Sequence, residues 1–401
     1  MKKALLFVLC ICSYNAMAQY DCSTPNPIGG LRGTGAGCTD YLNYIPDINH
    51  MDYSPELVYK VNFHMFRNTD GSGIYQPSQI TDIENQITWV NQHYTNMANP
   101  VLPVSPAVQL IPDTKIRFKL QYVYWHDDSD YYHIDTLANG NAANGCINLH
   151  QNTYGINTDS EINVFYWTSD TTSGGCGPFN QFYVNMINSG FSWAGSQLLA
   201  HELGHTLGLG HTSIGCSDDA YDDTYHPDTN RDWLGCGSTV PHPYCGGGIG
   251  VSNNIMGYNV CRSYLSPKQI AQIRYRAIQL SGYRKYLDPD YDDSQTVEIV
   301  SNDTWEHANY LTGDLIVKSG YQLTVKCTLF LSSESKIVVE PNATLVIDGG
   351  VLTSNRDDAR WNGIYVSGNS TASQSLNPSL FGKLVLKNDA RLENAQQAVN
   401  N

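Results

Sequence analysis

The stretch LAHELGHTLGLGH, residues 199–211, has the pattern H-E-x-x-H-x-x-G-x-x-H. The surrounding sequence has a helical period, so His201 and His205 are expected one turn apart on the same helix face. Gly208 allows the left-handed backbone that ends a helix, and the resulting turn brings His211 back toward the other two imidazoles. The stretch therefore predicts three imidazoles that converge on one divalent metal ion.

Three imidazole ligands with one open coordination position are typical of a catalytic zinc site, not of a structural one. Glu202 directly follows the first ligand, so its carboxylate can approach a coordinated water without binding the metal. The pattern therefore predicts a zinc-dependent hydrolase. The alternative is a non-catalytic secreted adhesin or glycan-binding protein with a vestigial zinc site. The presence of Glu202 argues against it, because loss of that carboxylate is the simplest route to an inactive enzyme.

A second signal lies downstream, where residues 253–258 read NNIMGY and place Met256 45 residues after His211. A methionine in a tight downstream turn is the other hallmark of this extended zinc motif. Together the two motifs resemble the metzincin metallopeptidases. Over about residues 57–283 the chain most resembles their pappalysin (cytophagalysin) family. Three further residues are shared with that family: Thr212, Cys216 and Cys261.

The resemblance implies a zinc endopeptidase that hydrolyses protein or peptide substrates. It implies that one catalytic Zn²⁺ is bound by three residues: His201, His205 and His211. Glu202 would be the general base that activates the zinc-bound water and then protonates the leaving amine. Met256 would form a hydrophobic floor beneath the metal, and Tyr258 would stabilise the tetrahedral intermediate. Taken alone, Met256 also fits an ordinary core position and Tyr258 a surface one.

The helix that carries His201 and His205 is here called the zinc helix. The segment just ahead of it, residues 175–185, is predicted to form the edge strand of the substrate cleft. A peptide substrate can pair with such an edge as an added strand. The composition limits the other partners. The net charge is −15 and no basic tract is present, which argues against nucleic acid and against an anionic membrane surface.

Residues 1–18 have the features of a signal peptide: two lysines, an apolar run of about nine residues and a small-residue cleavage site. Such a run is too short to span a bilayer, which needs roughly 20 residues, so no membrane insertion is expected. The mature protein is predicted to be secreted or associated with the cell surface. Disulfides are then expected among the nine cysteines that cleavage leaves.

Family resemblance implies the pairings Cys216–Cys245 and Cys236–Cys261. Pairing of the adjacent residues Cys216 and Cys236 stays open, because four cysteines permit three connectivities. We further predict two other disulfides, Cys146–Cys176 and Cys22–Cys38, which leaves Cys327 as the odd thiol. An alternative is that Cys22 or Cys38, in a pro-segment, ligates the zinc and keeps the enzyme latent.

A cluster of carboxylates lies between the third histidine and the methionine motif. The predicted calcium ligands are Asp218, Asp219, Asp222 and Asp223, in a region where members of the resembled family bind Ca²⁺. A solvated acidic loop is the alternative, since the spacing is not that of an EF-hand.

The predicted fold class is an α+β metzincin-like catalytic domain followed by an all-β module. The catalytic domain combines a mixed twisted sheet, an active-site helix and a C-terminal subdomain with the methionine turn and a helix. The predicted boundaries are residues 1–18 for the signal peptide, 19–56 for an N-terminal extension or short pro-segment, 57–285 for the catalytic domain, 286–300 for a linker and 301–401 for the β-rich module.

The predicted strands of the catalytic domain are Val58–Phe66 (half-buried), Lys115–Tyr124, Glu161–Trp167 and Gln181–Asn185. The predicted helices begin at Pro77, with Ile80 on the apolar face, at Trp193 (ending at Leu207), and after a Ser266 capping box (ending at Gly282). In the C-terminal module, Leu323 and Leu345 occupy equivalent places in repeats 22 residues apart. The repeat favours a β-solenoid, with a small β-sandwich as the alternative. The chain ends inside this pattern, so we expect an incomplete module, one that binds a surface, a glycan or a protein.

Overall fold

The structure is a computed structural model that describes residues 21–22, 37–100, 109–134, 146–170, 173–212, 221, 223–224, 252–257, 262–291, 296–374 and 376–400. In these ranges the helices are α1 (Ile80–Thr95), α2 (Ser129–Tyr132), α3 (Leu149–Tyr154), α4 (Trp193–Thr206), α5 (Pro267–Gln279) and α6 (Ser281–Arg284). None of the described helices combines the length and the apolar character needed to cross a membrane.

Six strands form the sheet of the N-terminal half: β1 (Asp21–Cys22), β2 (Leu57–Arg67), β3 (Ile116–Asp127), β4 (Ile162–Trp167), β5 (Gly174–Cys176) and β6 (Tyr183–Ile187). Their order is β1-β5-β6-β4-β2-β3, and only the β5–β6 pair is antiparallel. The prediction that β2 is half-buried is wrong. The strand is buried at nine of its eleven positions, because it is an inner strand with both faces covered.

Helices α1 and α4 pack side by side, and the Tyr94 hydroxyl of α1 donates to the Ala200 carbonyl of α4 over 2.9 Å. The buried face of α1 is formed by Ile83, Ile87, Val90 and Tyr94. Ile80 is 39% exposed instead, because it is the first residue of the α-helix and follows a 3₁₀ turn at Pro77–Gln79.

The capping box of α5 is present, with the Ser266 hydroxyl accepting from the Gln269 N–H over 3.2 Å. The prediction that Gly282 ends this helix is wrong. The helix ends at Gln279, and Gly282 lies inside the short helix α6. The Leu280 N–H still donates to Arg276 O, so the chain turns without needing a glycine at the helix end.

The C-terminal strands are β7 (Val297–Ile299), β8 (Asp303–Trp305), β9 (Asn309–Leu311), β10 (Leu315–Val317), β11 (Gln322–Val325), β12 (Thr328–Leu331), β13 (Lys336–Val339), β14 (Thr344–Asp348), β15 (Val351–Ser354), β16 (Gly363–Val366), β17 (Lys383–Lys387), β18 (Arg391–Leu392) and β19 (Val399–Asn400). They form three sheets with parallel pairing throughout, and Leu323 lies opposite Leu345. Stacked parallel coils are the arrangement of a β-solenoid, whereas a sandwich would pair its strands antiparallel.

The predicted linker, residues 286–300, is partly structured. Strand β7 belongs to the first coil of the solenoid, and the Asp288 N–H donates to Val58 O of β2 over 2.7 Å. The segment whose acidic composition indicated a linker is therefore hydrogen-bonded through its backbone to both halves of the molecule: to β2 through Asp288 and to the solenoid through β7.

Residues 37–56, here named the strap, connect the two halves from the N-terminal side. Within the strap, Tyr44 packs on Tyr275 of α5, and Tyr53 belongs to the hydrophobic core of the solenoid. Cys38 forms a disulfide with Cys327, with 5.6 Å between the Cα atoms. Two predictions are therefore wrong: Cys38 does not pair with Cys22, and Cys327 is not the odd thiol. Sequence separation had placed Cys327 in another domain, but the strap carries Cys38 across to it.

Candidate active site

The three histidines of the motif meet at one point. The Nε2 atoms of His201 and His205 are 3.2 Å apart, and both are about equally far from the Nε2 atom of His211, at 3.1 and 3.0 Å. All three side chains are completely buried. They form the one group of metal-binding side chains of this kind among the described residues.

The imidazoles have the protonation state that a metal site requires. Nδ1 of His201 lies 2.6 Å from Ile255 O, and Nδ1 of His205 lies 2.8 Å from Leu209 O. A carbonyl can only accept, so each Nδ1 carries the proton and each Nε2 offers a lone pair. Burial lowers the pKa of His205 to about 3 and lowers the pKa of His201 and His211 as well. Neutral imidazoles with converging lone pairs fit a divalent cation such as Zn²⁺.

A sharp turn after α4 delivers the third histidine. Gly208 has φ +91°, and a side chain at this position would collide with the guanidinium of Arg276. The Gly208 N–H donates to His205 O over 2.9 Å, which closes the helix end. The glycine of the motif is therefore needed both for its backbone conformation and for the close approach of Arg276.

Met256 packs against helix α4 at Gly204. Its side chain is completely buried, and its sulfur occupies the space that a side chain at Gly204 would need. Asn254 fixes the turn, since its Oδ1 accepts from the Met256 N–H over 2.8 Å. The turn also supports the ligands directly, because Ile255 O is the acceptor for His201. The Thr212 N–H donates to Met256 O over 3.2 Å.

Glu202 is completely buried, and its Oε2 accepts from the Gly177 N–H over 2.8 Å. The segment of strand β5 and Gly177 comes this close because residues 174, 175 and 177 are glycines. A Cβ atom at Gly175 would lie 2.7 Å from both Cγ and Oε1 of Glu202, and one at Gly177 would collide with the Glu202 carbonyl. The strand next to the zinc helix therefore determines where the carboxylate lies.

Strand β5 is also the predicted substrate edge. It pairs on one side with β6, and Cys176 is joined to Cys146 by the predicted disulfide. On its other side it pairs in parallel with β1, with Asp21 opposite Gly174 and Cys22 opposite Gly175. An N-terminal segment thus occupies the edge at which a substrate strand was expected.

Several predicted residues lie outside the described part of the chain: Tyr258, Asp218, Asp219, Asp222, Cys216, Cys236, Cys245 and Cys261. The fourth predicted calcium ligand, Asp223, is described. Its carboxylate accepts from the Ser266 hydroxyl over 2.7 Å and from the Lys268 N–H over 2.8 Å. Asp223 thus supports the N-terminus of α5, and the calcium site stays a prediction.

A buried arginine, Arg262, is 4% exposed and links two parts of the site. Its Nη1 donates to Gln197 O of the zinc helix over 3.2 Å, and its Nε donates to Gly257 O of the methionine turn over 3.3 Å. Arg262 therefore holds the turn against the helix. Its position five residues before the α5 helix gives no sign of this, since the contact depends on how two distant segments pack.

Comparisons with known proteins agree with this site. Residues 136–279 match the peptidase family described as Pregnancy-associated plasma protein-A. No curated protein matches the chain. Mature mirolysin of Tannerella forsythia in complex with a cleaved peptide has 16% sequence identity and a TM-score of 0.37, over 58% of this chain and 96% of that chain. A promirolysin mutant of the same organism has 17% identity and a TM-score of 0.38, over 58% and 84%.

The family match contains the whole of helix α4, the third histidine and the methionine turn. The same segment brings three neutral imidazoles to one point beside a buried carboxylate. On this basis the chain carries a zinc metallopeptidase domain, which over residues 136–279 is similar to the pappalysin family.

Proposed function

We propose that the protein is a secreted zinc endopeptidase in which Glu202 activates the water that attacks the peptide bond. The observation that carries the proposal is the position of this carboxylate. Glu202 directly follows His201, the first of the three histidines, and its carboxylate accepts a hydrogen bond from the Gly177 N–H. Protein or peptide chains are the proposed substrates. Zinc, when bound, polarises the scissile carbonyl and makes the water more acidic.

The chain's own residues would perform the remaining steps. The Gly177 N–H holds Oε2 of Glu202, and the carboxylate would accept the proton of the attacking water. The same carboxylate then delivers the proton to the leaving amine nitrogen, so no other acid is needed. The backbone groups of β5 would align the substrate, because an extended peptide can pair with a strand edge. Tyr258 is proposed to stabilise the negative charge that develops on the carbonyl oxygen.

Secretion is supported by the signal-like features of residues 1–18 and by two disulfides in the described part of the chain. Disulfides persist in oxidising compartments and are rare in the cytosol. The proposed binding role of the C-terminal module, toward a surface, a glycan or a protein, stays a prediction.

The function is tested with Glu202→Gln, which keeps the shape of the side chain but removes the base. General acid–base groups contribute roughly 10²–10⁴-fold to rate, so kcat/KM for a peptide substrate should fall by about that factor. Zinc content should remain that of the wild type. Glu84→Gln is the matched control, since Glu84 is exposed on α1. Full activity in Glu202→Gln would refute the proposed role.

We also propose that the segment before the strap keeps the enzyme latent. The support is the pairing of β1 with β5, which places Asp21 and Cys22 on the edge that a substrate would use. Cys38 no longer qualifies as a latency thiol, because it is bonded to Cys327. Cys22 remains the proposed zinc-ligating thiol.

The latency proposal is tested by comparing chains that begin at Gln19 and at Gly37, both with the strap intact. Removal of residues 19–36 frees the β5 edge, so we expect kcat/KM of the shorter chain to be at least about tenfold higher. A tenfold change corresponds to roughly 1.4 kcal/mol of interaction between the removed segment and the substrate site. Cys22→Ala distinguishes inhibition by strand pairing at the β5 edge from inhibition by zinc ligation. This variant of the longer chain is more active only if the Cys22 thiol contributes to latency. Equal activity of the two chains would exclude latency by this segment.

A further inference from the structure

A cavity of about 130 Å³ lies where the strap, helix α5 and the first solenoid coil meet. Its walls include Tyr44 of the strap, Arg274 and Ile278 of α5, and Trp305 and His307 of the solenoid. One water requires roughly 10–15 Å³ of such volume. The cavity therefore has room for a small polyatomic ligand, and it lies apart from the zinc site.

Arg274 supplies a buried positive charge to this cavity. The residue is 3% exposed, and its Nη1 donates to Pro55 O over 3.2 Å. No ion pair within 4.0 Å is found for Arg274 among the described residues, and the Asp113 carboxylate attracts its charge only from a longer distance. Burial lowers the pKa of Arg274 to about 10, so the group still carries its charge at neutral pH. A buried guanidinium with five N–H donors and one carbonyl acceptor is costly unless an anion pairs with it.

His307 adds a second donor to the same wall. Its ring lies 5.5 Å from the Tyr44 ring and 6.2 Å from the Trp305 ring, which fixes its orientation. Burial, with Arg274 as a lesser cause, lowers the pKa of His307 to about 4, so the imidazole is neutral and keeps one N–H. Neither ring nitrogen hydrogen-bonds to another residue of the described chain.

Two carboxylates border the cavity, and each accepts hydrogen bonds from neighbouring residues. Asp303 accepts from the Thr304 N–H over 2.7 Å and from Trp305 Nε1 over 3.1 Å. Asp47 is exposed and accepts from the Asn49 N–H over 2.9 Å. The cavity therefore has a buried cation without a paired carboxylate, a neutral N–H donor and aromatic walls.

We propose that this cavity binds a small oxyanion, of the phosphate or carboxylate class, through the Arg274 guanidinium and the His307 imidazole N–H. Guanidinium pairs strongly with such anions because its planar N–H groups match two oxygens at once. The bound anion contacts the strap, helix α5 and the solenoid together. It therefore stabilises the folded junction between the two halves, by a free energy that grows with the logarithm of the anion concentration above Kd.

The test is calorimetric titration of the mature chain with inorganic phosphate and, separately, with acetate, each against sodium chloride at equal ionic strength. We expect saturable binding of one equivalent and a melting temperature that keeps rising as the anion concentration increases beyond Kd. Arg274→Gln should weaken binding by about 10- to 100-fold, the loss expected for a hydrogen-bonded charge. Arg360→Gln, an exposed arginine of the solenoid, is the matched control and should bind as the wild type does.

A second variant covers the case in which Arg274→Gln does not fold. His307→Gln removes only the imidazole and should weaken binding by about three- to tenfold, the loss expected for one neutral hydrogen bond. The NMR signals of the His307 ring, assigned by their absence in this variant, should shift during the phosphate titration and saturate with it. Three results would each overturn the proposal: no saturable binding of either anion, equal binding in the folded variants, or unshifted His307 signals at saturation.

Discussion

Gly175 shows how a residue without a side chain determines the position of a catalytic group. The strand that carries it runs so close to the zinc helix that Cγ and Oε1 of Glu202 fill the place of its missing Cβ. Glu202 and the three histidines could be predicted from the sequence, because the first two metal ligands lie one turn apart on a helix and therefore have a fixed spacing. It could not find this role of Gly175, because the requirement arises only when β5 and α4 pack together.

Gly175→Ala should therefore impair catalysis more than stability. The new methyl group would push the Glu202 carboxylate away from its position, and a displacement near 1 Å can cost about 10²-fold in rate. We expect kcat to fall by about that factor while zinc content stays unchanged, measured by peptide cleavage and metal analysis. Gly190→Ala is the control, since a Cβ there would meet no atom within 4 Å. Equal rates for both variants would show that the carboxylate tolerates the shift.

At the scale of elements, periodicity predicted most helices and strands but not what covers them. Strand β2 has a roughly alternating sequence, yet both of its faces are buried because β3 and β4 flank it and other elements cover the sheet. Strand β6 begins at Tyr183, two residues later than predicted. The 22-residue repeat predicted the solenoid register, since repeated side chains must stack in equivalent places.

Three histidines of the sheet and of α3 form a neutral cluster, in which His64 and His150 are buried and His126 is half-buried. His64 of β2 lies 3.0 Å, Nδ1 to Nε2, from His126 of β3, and its Nε2 donates to Asn163 Oδ1 over 2.8 Å. His150 of α3 donates to Tyr131 O over 2.9 Å. Burial lowers the pKa of His64 to about 3 and those of His126 and His150 to about 4.

The cluster predicts a loss of stability in acid. In the unfolded chain these histidines bind protons below about pH 6.5, whereas the folded protein leaves them neutral until pH 3–4. The free energy of unfolding should therefore decrease as the pH falls from about 6.5 toward 4. His64→Gln should reduce that slope by up to about 1.4 kcal/mol per pH unit.

Urea denaturation at several pH values measures this slope. Comparison of the variant with the wild type removes the contribution of the zinc-binding histidines, which both proteins share. An identical slope in His64→Gln would contradict the assignment of a neutral, buried His64.

At the scale of the molecule, the strap joins parts that the sequence presents as separate. Tyr44 accepts a hydrogen bond from the Ala308 N–H over 3.1 Å, and Asn309 Nδ2 donates to Tyr53 O over 3.1 Å. From α6, Arg284 lies 4.0 Å above the Phe330 ring of the solenoid. The sequence indicated an extension, a catalytic domain and a module. It could not predict how the strap joins them, because contacts between residues about 250 positions apart produce no local sequence pattern.

The Cys38–Cys327 disulfide closes the longest of these connections, over 289 residues. A cross-link over a long loop restricts the unfolded chain most, and loss of such a bond typically costs about 2–5 kcal/mol. Replacement of both cysteines by serine should lower the free energy of unfolding by that amount, measured by urea denaturation with the fluorescence of the buried Trp305 and Trp361. Asp290→Asn, which removes the exposed ion pair with Arg356 at the same junction, should cost only about 0–1 kcal/mol. If the two changes cost the same, packing of the strap, and not its covalent bond, holds the halves together.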